Sequence, residues 1–228
     1  MDKFSLYVPN FLPQEEFFDP KKNHTCTGCG VSLAVRIIGK AVEKLLANAV
    51  CERSDKGELF GIKTEAAFLK IKNGKNEIIT CLDDEPNGGL DNAIKKPLPA
   101  VAVAEGFKYV ATASPSYPFD LYEKMKRALE TNGKSYIHIL CPCPAGWQFE
   151  TEDTVKVGFW AVESLAFPLY EVGSGFYNLT IRTLKPRPLA DYISAQGRFT
   201  DVTDKQIKTA GAKVEKEYKK LLENIQPA

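Results

Sequence analysis

The sequence lacks a net charge to speak of: 30 Lys+Arg against 29 Asp+Glu leave a formal charge of +1. That balance gives no electrostatic footprint for nucleic acid or an acidic membrane, so neither is a partner. It also lacks a basic stretch followed by an apolar core at its start, which excludes a secretory signal there. No apolar run approaches the roughly 20 residues that span a bilayer. The richest, VGFWAVESLAFPLYEVG, is interrupted by Glu163, Pro168 and Glu171. No Ser-His-Asp pattern, phosphate-binding P-loop, internal repeat or low-complexity tract occurs. These absences leave a protein of the cytoplasm, where thiols stay reduced.

What remains is 228 residues, 44% hydrophobic and 26% charged, enough to bury a core. The six cysteines are too few for a disulfide scaffold and too many for idle packing. Residues 1–22 carry Pro9, Pro13 and Pro20 and read as an irregular arm. Its Phe4, Leu6, Tyr7, Phe11, Leu12, Phe17 and Phe18 need a neighbouring surface to lie on, in this chain or another. Residues 23–203 form an α/β domain, and 204–228 a C-terminal helix.

Within the domain, Leu33, Ile37, Ile38, Ala41, Val42, Leu45 and Leu46 recur at three and four residues, predicting a helix after Gly30 capped by Ser32. Glu77–Leu82 follows a turn at 73–76 and reads as a buried strand. Residues 83–99 are dense in turn formers. Ala100–Glu105 is a short helix and Tyr109–Thr112 a strand. A helix opened by Pro118 follows, closed by Gly133, and then the strand Ser135–Leu140. Strand, helix, strand in that spacing predicts a mostly parallel sheet flanked by helices. Phe176–Ile181 reads as an edge strand.

The chemically pointed set is the thiols. In His24-Thr25-Cys26-Thr27-Gly28-Cys29-Gly30, two residues between the cysteines turn both sulfurs toward one centre, and the helix start beyond them favours thiolates. By itself such a pair is equally a zinc half-site or a dithiol. Cys51 beyond the first helix, and Cys141 and Cys143 after a strand end, complete a set of four that suits an iron–sulfur cluster at least as well. Cys141 and Cys81 read most simply as packed thiols, although Cys141 is close enough in sequence to substitute for Cys143. His138, within an apolar strand, reads as a satisfied core histidine. His24 reads equally as a donor to a cluster sulfur and as an ordinary loop residue. Trp147 and Phe149 read as a shield over the site or as core aromatics, and Thr112 and Ser114 as site contacts or turn caps.

Cys26–Gly30, Tyr109-Val-Ala-Thr-Ala-Ser114 and Cys143-Pro-Ala-Gly-Trp147 together resemble the β subunit of pyruvate:ferredoxin oxidoreductase and its 2-oxoacid relatives, the thiamine-diphosphate and iron–sulfur subunit. The likeness continues through Ala161-Val-Glu163, Pro168-Leu-Tyr-Glu171, Lys185-Pro-Arg187 and Gln196-Gly-Arg-Phe199. It covers about 22–51 and 100–200 well, and 52–99 poorly. The resemblance implies a 4Fe–4S cluster held by Cys26, Cys29, Cys51 and Cys143, other oxidoreductase subunits as partners, and ferredoxin as an electron acceptor.

In the full family reaction the thiamine ylid attacks a 2-oxoacid, CO₂ leaves, and coenzyme A takes the acyl group. Members hold thiamine diphosphate and Mg²⁺ through a Gly-Asp-Gly run and an Asn-containing loop. No Gly-Asp-Gly occurs here, and the segment from Cys51 to Asp83 is short, as though the element carrying it were gone. The fold is then a shortened version of the family's, and the cofactor is absent from this chain. Asp83-Asp84-Glu85-Pro86-Asn87-Gly88-Gly89, where the second loop would fall, reads more readily as an acidic surface turn than as a cation site. The resemblance therefore implies an electron-transfer subunit. The alternative is a non-catalytic partner whose loop is stapled by zinc or iron–sulfur.

Overall fold

The computed structural model describes residues 12–19, 26–53, 58–59, 62–63, 66–85, 89–91 and 97–225, with side chains left out at 48, 50–53, 58, 62 and 63. The first helix, α1 (Gly30–Val42), turns Ala34, Ile37, Ile38, Ala41 and Val42 inward, as their spacing predicts. It begins two residues before the expected cap. Cys29 holds the N-cap position and Ser32 lies inside the helix, because Gly30 is already helical where it meets the chain at Pro142. A 3₁₀ segment, Glu43–Asn48, ends it. Of the N-terminal arm, residues 12–19 lie against α1. Lys40 Nζ donates to the Pro13 carbonyl at 2.7 Å, and Arg36 pairs with Glu16 at 3.0 Å.

Among the described residues nine strands follow: β1 (Val50–Arg53), β2 (Glu58–Leu59), β3 (Ile62–Lys63), β4 (Ala67–Asn73), β5 (Asn76–Asp83), β6 (Tyr109–Ala113), β7 (Lys134–Leu140), β8 (Tyr170–Gly173) and β9 (Phe176–Leu179). The helices described in full after α1 include α2 (Leu98–Ala104), α3 (Pro118–Glu130), α4 (Pro144–Trp147), α5 (Thr154–Glu163), α6 (Leu189–Ser194) and α7 (Asp204–Asn224). Among the described residues the main sheet runs β1-β4-β5-β7-β6-β8-β9, with β2 and β3 paired separately.

The class is α/β, and the parallel pairing lies in the core of the sheet, where β7 runs parallel to both β5 and β6. The β6–α3–β7 unit supplies one of these pairs. The β4–β5 hairpin and the β8–β9 hairpin then extend the sheet antiparallel at either side. A hairpin needs only a tight turn, here around Gly74 at φ +61°, whereas a parallel neighbour needs a crossover of a dozen or more residues.

Alternation along the central strands sends side chains to two faces. Ile78, Leu82, Ala111, Ala113, Ile137 and Ile139 pack under α1 and α3. Ile79, Cys81, Val110 and Tyr136 pack under α2. A third cluster, Leu140, Trp147, Val157, Leu169, Ile193 and Val214, joins α4 to α7 beyond the ends of the parallel strands. The last helix opens with a full capping box between Thr203 and Gln206. No helix among the described residues is long and apolar enough to cross a membrane.

At the β6–β8 edge, Glu171 accepts from Tyr109 Oη and Arg127 Nη1 at 2.7 Å each, and from Asn178 Nδ2 at 3.0 Å. Burial alone would raise its carboxyl, but these three donors outweigh it and hold the pKa below 4.5. A carboxylate depressed in the folded state contributes stability above its unfolded value, and that contribution drains as pH falls through the folded one. Glu171→Gln is expected to lose less stability than wild type between about pH 6 and about pH 3. Urea midpoints measured across that range check this; equal acid sensitivity of the two chains contradicts it.

Candidate metal centre

Two segments far apart in sequence are pinned together at the carboxyl ends of β5 and β7. The Cys26–Cys29 turn is closed by the Cys29 N–H donating to the Cys26 carbonyl at 3.3 Å. Gly28 sits at φ +70°, and a Cβ there would come within 2.4 Å of the Thr151 carbonyl oxygen, so this position needs glycine. Thr154 Oγ1 at the start of α5 donates to the Gly28 carbonyl at 2.6 Å and fixes the turn from outside. The next residue, Gly30, donates its N–H to the Pro142 carbonyl at 3.1 Å. A Cβ on Gly30 would lie 2.5 Å from that oxygen and 2.7 Å from the Pro142 nitrogen. The sequence Cys-Gly at 29–30 is thus what lets the CxxC turn lie directly on Cys141-Pro142-Cys143.

Cys143 caps α4, and its Sγ accepts the Gly146 N–H at 3.3 Å. Burial raises its thiol pKa, the Gly146 N–H opposes that, and negative charge on Asp84, Cys29 and Cys26 raises it further. Asp84, Cys29 and Cys26 thus lie near enough to Cys143 for negative charge on them to act on it. A cation or a positively charged iron core would relieve their repulsion. Cys26 is exposed, and Cys29 and Cys143 are half-buried.

Cys141 is different. It is fully buried among the α1-side core residues, its Sγ–H directed at the Ile139 carbonyl at 3.4 Å. Burial pushes its thiol well up. It is a packed thiol, as is Cys81 at 0% exposure.

The backbone of Cys51 lies on β1, opposite Leu69 of β4. Its side chain, like all of His24 and Asn87, falls outside the described residues. Among the described residues no three His, Cys, Asp or Glu side chains converge as a single metal ion requires. The Gly30 to Pro142 bond nevertheless sets the CxxC turn beside the segment that carries Cys143, and a backbone N–H is already aimed at the Cys143 sulfur.

The loop expected to be an acidic surface turn is not one at its start. Asp83 and Asp84 are 2% and 6% exposed. The parallel register carries β5 to Asp83, opposite Leu140, so both carboxylates leave the strand inside the fold. Asp83 Oδ2 lies 2.9 Å from His138 Nε2, and His138 Nδ1 lies 3.1 Å from Tyr136 Oη, which makes His138 the satisfied core histidine its strand suggested. Thr112 Oγ1 is taken up by Pro168 O and Tyr170 N, and Ser114 Oγ by the Ser116 N–H, so both act as local braces.

Sequence reasoning missed how Gln196-Gly-Arg-Phe199 contributes. The Arg198 guanidinium stacks 4.1 Å from the Trp147 ring centre and donates to Glu85 O at 2.7 Å. Trp147 Nε1 donates to the same carbonyl at 3.0 Å. Gln196 Oε1 accepts two further N–H groups of Arg198. A glycine is needed at 197, whose Cβ would meet Gln148 at 2.9 Å. This clamp ties the Asp83–Glu85 segment to the Cys143–Trp147 turn. Its only sequence signal was an arginine between glycine and phenylalanine near the chain's end.

No family model matches the chain. Individual relatives do. Over an alignment of 271 residues it is 30% identical to pyruvate synthase subunit PorB of Methanothermobacter thermautotrophicus, covering 86% of this chain and 93% of that protein. It is 31% identical to PorB of Methanothermobacter marburgensis, covering 81% and 71%. Ketoisovalerate oxidoreductase subunit VorB of Pyrococcus furiosus is 34% identical over 134 residues, 58% of this chain and 43% of its own. These matches place the chain in a class of oxidoreductase subunits. It belongs to the 2-oxoacid:ferredoxin oxidoreductase β-subunit family. An alignment of 271 positions against a chain of 228 requires gaps on this side, in line with a block of sequence that the relative carries and this chain does not.

Proposed function

We propose that this chain is the iron–sulfur electron-transfer subunit of a 2-oxoacid:ferredoxin oxidoreductase-like complex, holding a 4Fe–4S cluster and not itself carrying the thiamine chemistry. The observation that carries the reading is the Gly30 N–H to Pro142 carbonyl bond, which seats the Cys26–Cys29 turn against Cys143. Bound there, the cluster supplies one-electron chemistry. The chain's own part is to ligate it through Cys26, Cys29 and Cys143, to place the Gly146 N–H on a ligand sulfur, and to cover one side with Trp147 and Phe149, whose rings meet edge to face at 6.3 Å. Such hydrogen bonding and burial set the potential at which electrons pass. The fourth ligand implied by the resemblance is Cys51. Other subunits of the complex supply the 2-oxoacid and thiamine sites, and ferredoxin is the acceptor.

A second reading has one observation in its favour, the missing Gly-Asp-Gly run and the gaps that accompany it. On this reading the chain is a non-catalytic partner whose thiols hold zinc or a cluster as a structural staple.

Anaerobic purification of the native complex, with iron, sulfide, zinc and thiamine measured together, separates the two. About four irons with matching sulfide on this chain, reducible by the 2-oxoacid substrate, is the expected result. A colourless chain with zinc supports the staple. Stoichiometric thiamine on this chain contradicts the assignment of that chemistry elsewhere.

A further inference from the structure

We infer that the loop from Arg182 to Arg187, together with the outer face of α5, is the surface on which another subunit of the proposed complex docks, bringing an acidic segment to it. This inference rests on the family assignment and not on the iron–sulfur reading.

The loop is braced at both ends and uncovered between them. At its start, Thr180 Oγ1 receives the buried Lys124 ammonium at 2.8 Å and donates to the Leu169 carbonyl at 3.2 Å. At its end, Arg187 donates its backbone N–H to the Glu163 carbonyl at 3.0 Å. Its guanidinium donates to Glu163 Oε2 at 2.8 Å and to Asp191 Oδ2 at 3.1 Å. Pro186 and Pro188 fix φ on either side of it. This frame holds out Leu184, which is 85% exposed. One exposed leucine is ordinary by itself. This one stands on a loop already ordered, so a partner that covers it does not bear the cost of ordering the loop.

The charges around the leucine select the sign of the partner. Thr183 and Lys185, on either side of it, line a cavity of about 400 Å³ together with Tyr117, Glu163, Arg182 and Arg187. The negative groups nearby are already matched. Glu163 and Asp191 are taken by Arg187, and Asp153, just before α5, by Lys156 at 3.1 Å. Arg182 and Lys185 are exposed, and among the described residues neither makes an ion pair or a hydrogen bond. Two unmatched cations on one cavity are complementary to a carboxylate.

Apolar surface continues from the cavity along α5. Tyr117, in the cavity wall, meets Phe159 edge to face at 4.8 Å, and Phe159 and Val155, one helical turn apart, are both exposed. Beside them, Trp160 has Lys156 and Arg187 over its ring at 4.9 and 4.8 Å. Aromatic and aliphatic groups bordered by charge are the composition of a protein–protein interface. A small anion would use the cations and leave Leu184, Val155 and Phe159 in water, so the observations favour a protein segment that carries both carboxylate and apolar groups.

The test is made on the complex purified with all its subunits. Arg182→Glu with Lys185→Glu is compared with Lys216→Glu with Lys219→Glu, the same change of charge on exposed lysines of α7. Size-exclusion chromatography over a dilution series reads how much of this chain elutes with the other subunits, and a thermal melt establishes folding. The first variant is expected to dissociate at a concentration roughly 100-fold higher than wild type, and the control to assemble as wild type does. In the wild-type complex, carbodiimide is expected to join Lys185 to an aspartate or glutamate of another subunit, identified by mass spectrometry. A folded first variant that assembles like wild type overturns the inference, as does equal dissociation of both variants or a Lys185 that couples to no other subunit. If millimolar inorganic phosphate raises the Tm of wild type but not of the first variant, while both assemble alike, the cavity is a small-anion site and the docking surface is overturned.

Discussion

Gly30→Ala is expected to strip the proposed metal centre and destabilise the chain together. The added methyl meets main-chain atoms only: the Pro142 oxygen at 2.5 Å, the Pro142 nitrogen at 2.7 Å and the Cys141 carbonyl carbon at 2.8 Å. None can rotate away as a side-chain terminus could. Either α1 moves off β7 or the Gly30 to Pro142 bond breaks. Overpacking of this kind costs about 1–3 kcal/mol, and more where backbone must shift. In a chain of this length that is a fall in Tm of roughly 5–10 °C. A control separates the contact from the change of residue. Gly211 in α7 has open space at its Cβ, and alanine in a helix interior is favoured over glycine by up to about 1 kcal/mol. Gly211→Ala is therefore expected to keep its iron and melt no lower than wild type. If Gly30→Ala matches it in both, the pinned contact is not what builds the site.

The second large effect lies away from the cysteines. Lys124 is fully buried, with Nζ donating to Asp120 Oδ2 at 2.7 Å, the Thr112 carbonyl at 2.8 Å and Thr180 Oγ1 at 2.8 Å. It fastens α3 to the end of β6 and to the segment after β9. Burial lowers its pKa below 10.5, with Asp120 working against the shift. The unfolded chain therefore holds that proton more tightly, and stability rises as pH climbs toward 10.5. Asp120→Asn leaves the ammonium without its counter-charge, for which about 3–5 kcal/mol is the usual cost. The expected fall in Tm is roughly 10 °C, with a steeper gain in stability on the alkaline side than wild type shows. Replacing both partners by apolar residues, Asp120→Leu with Lys124→Met, is expected to recover much of the loss. A single variant as stable as wild type contradicts the account.

The contrast between these residues explains what the sequence disclosed. Long periodic segments were legible because a helix or strand with one apolar face repeats its signal. The helix at 204–224 and the strands at 109–113 and 134–140 fall where their spacing predicts. That the CxxC turn lies beside the Cys143 segment was legible only through the resemblance, and the Gly30 to Pro142 bond shows the two together. The register was not. Val50–Arg53 is four residues long and half charged, with no periodicity to separate an edge strand from a loop. Asp83 and Asp84 sit in a run of turn formers, and only the parallel pairing of β5 with β7 shows that they are buried. Arg198 depends on a contact with Glu85, 113 residues away in the chain, which no local pattern carries.

The most direct test of the account is differential alkylation of the cysteines in the anaerobic complex before and after its iron is removed by a chelator. Cys26 is exposed and Cys29 and Cys143 are half-buried, so without a ligated centre nothing shields the first from a small alkylating reagent. The account predicts that Cys26, Cys29 and Cys143 are protected in the native complex and all become labelled once the metal is stripped, while Cys81 and Cys141 stay unlabelled until the chain unfolds. Equal labelling of Cys26 before and after chelation would contradict it.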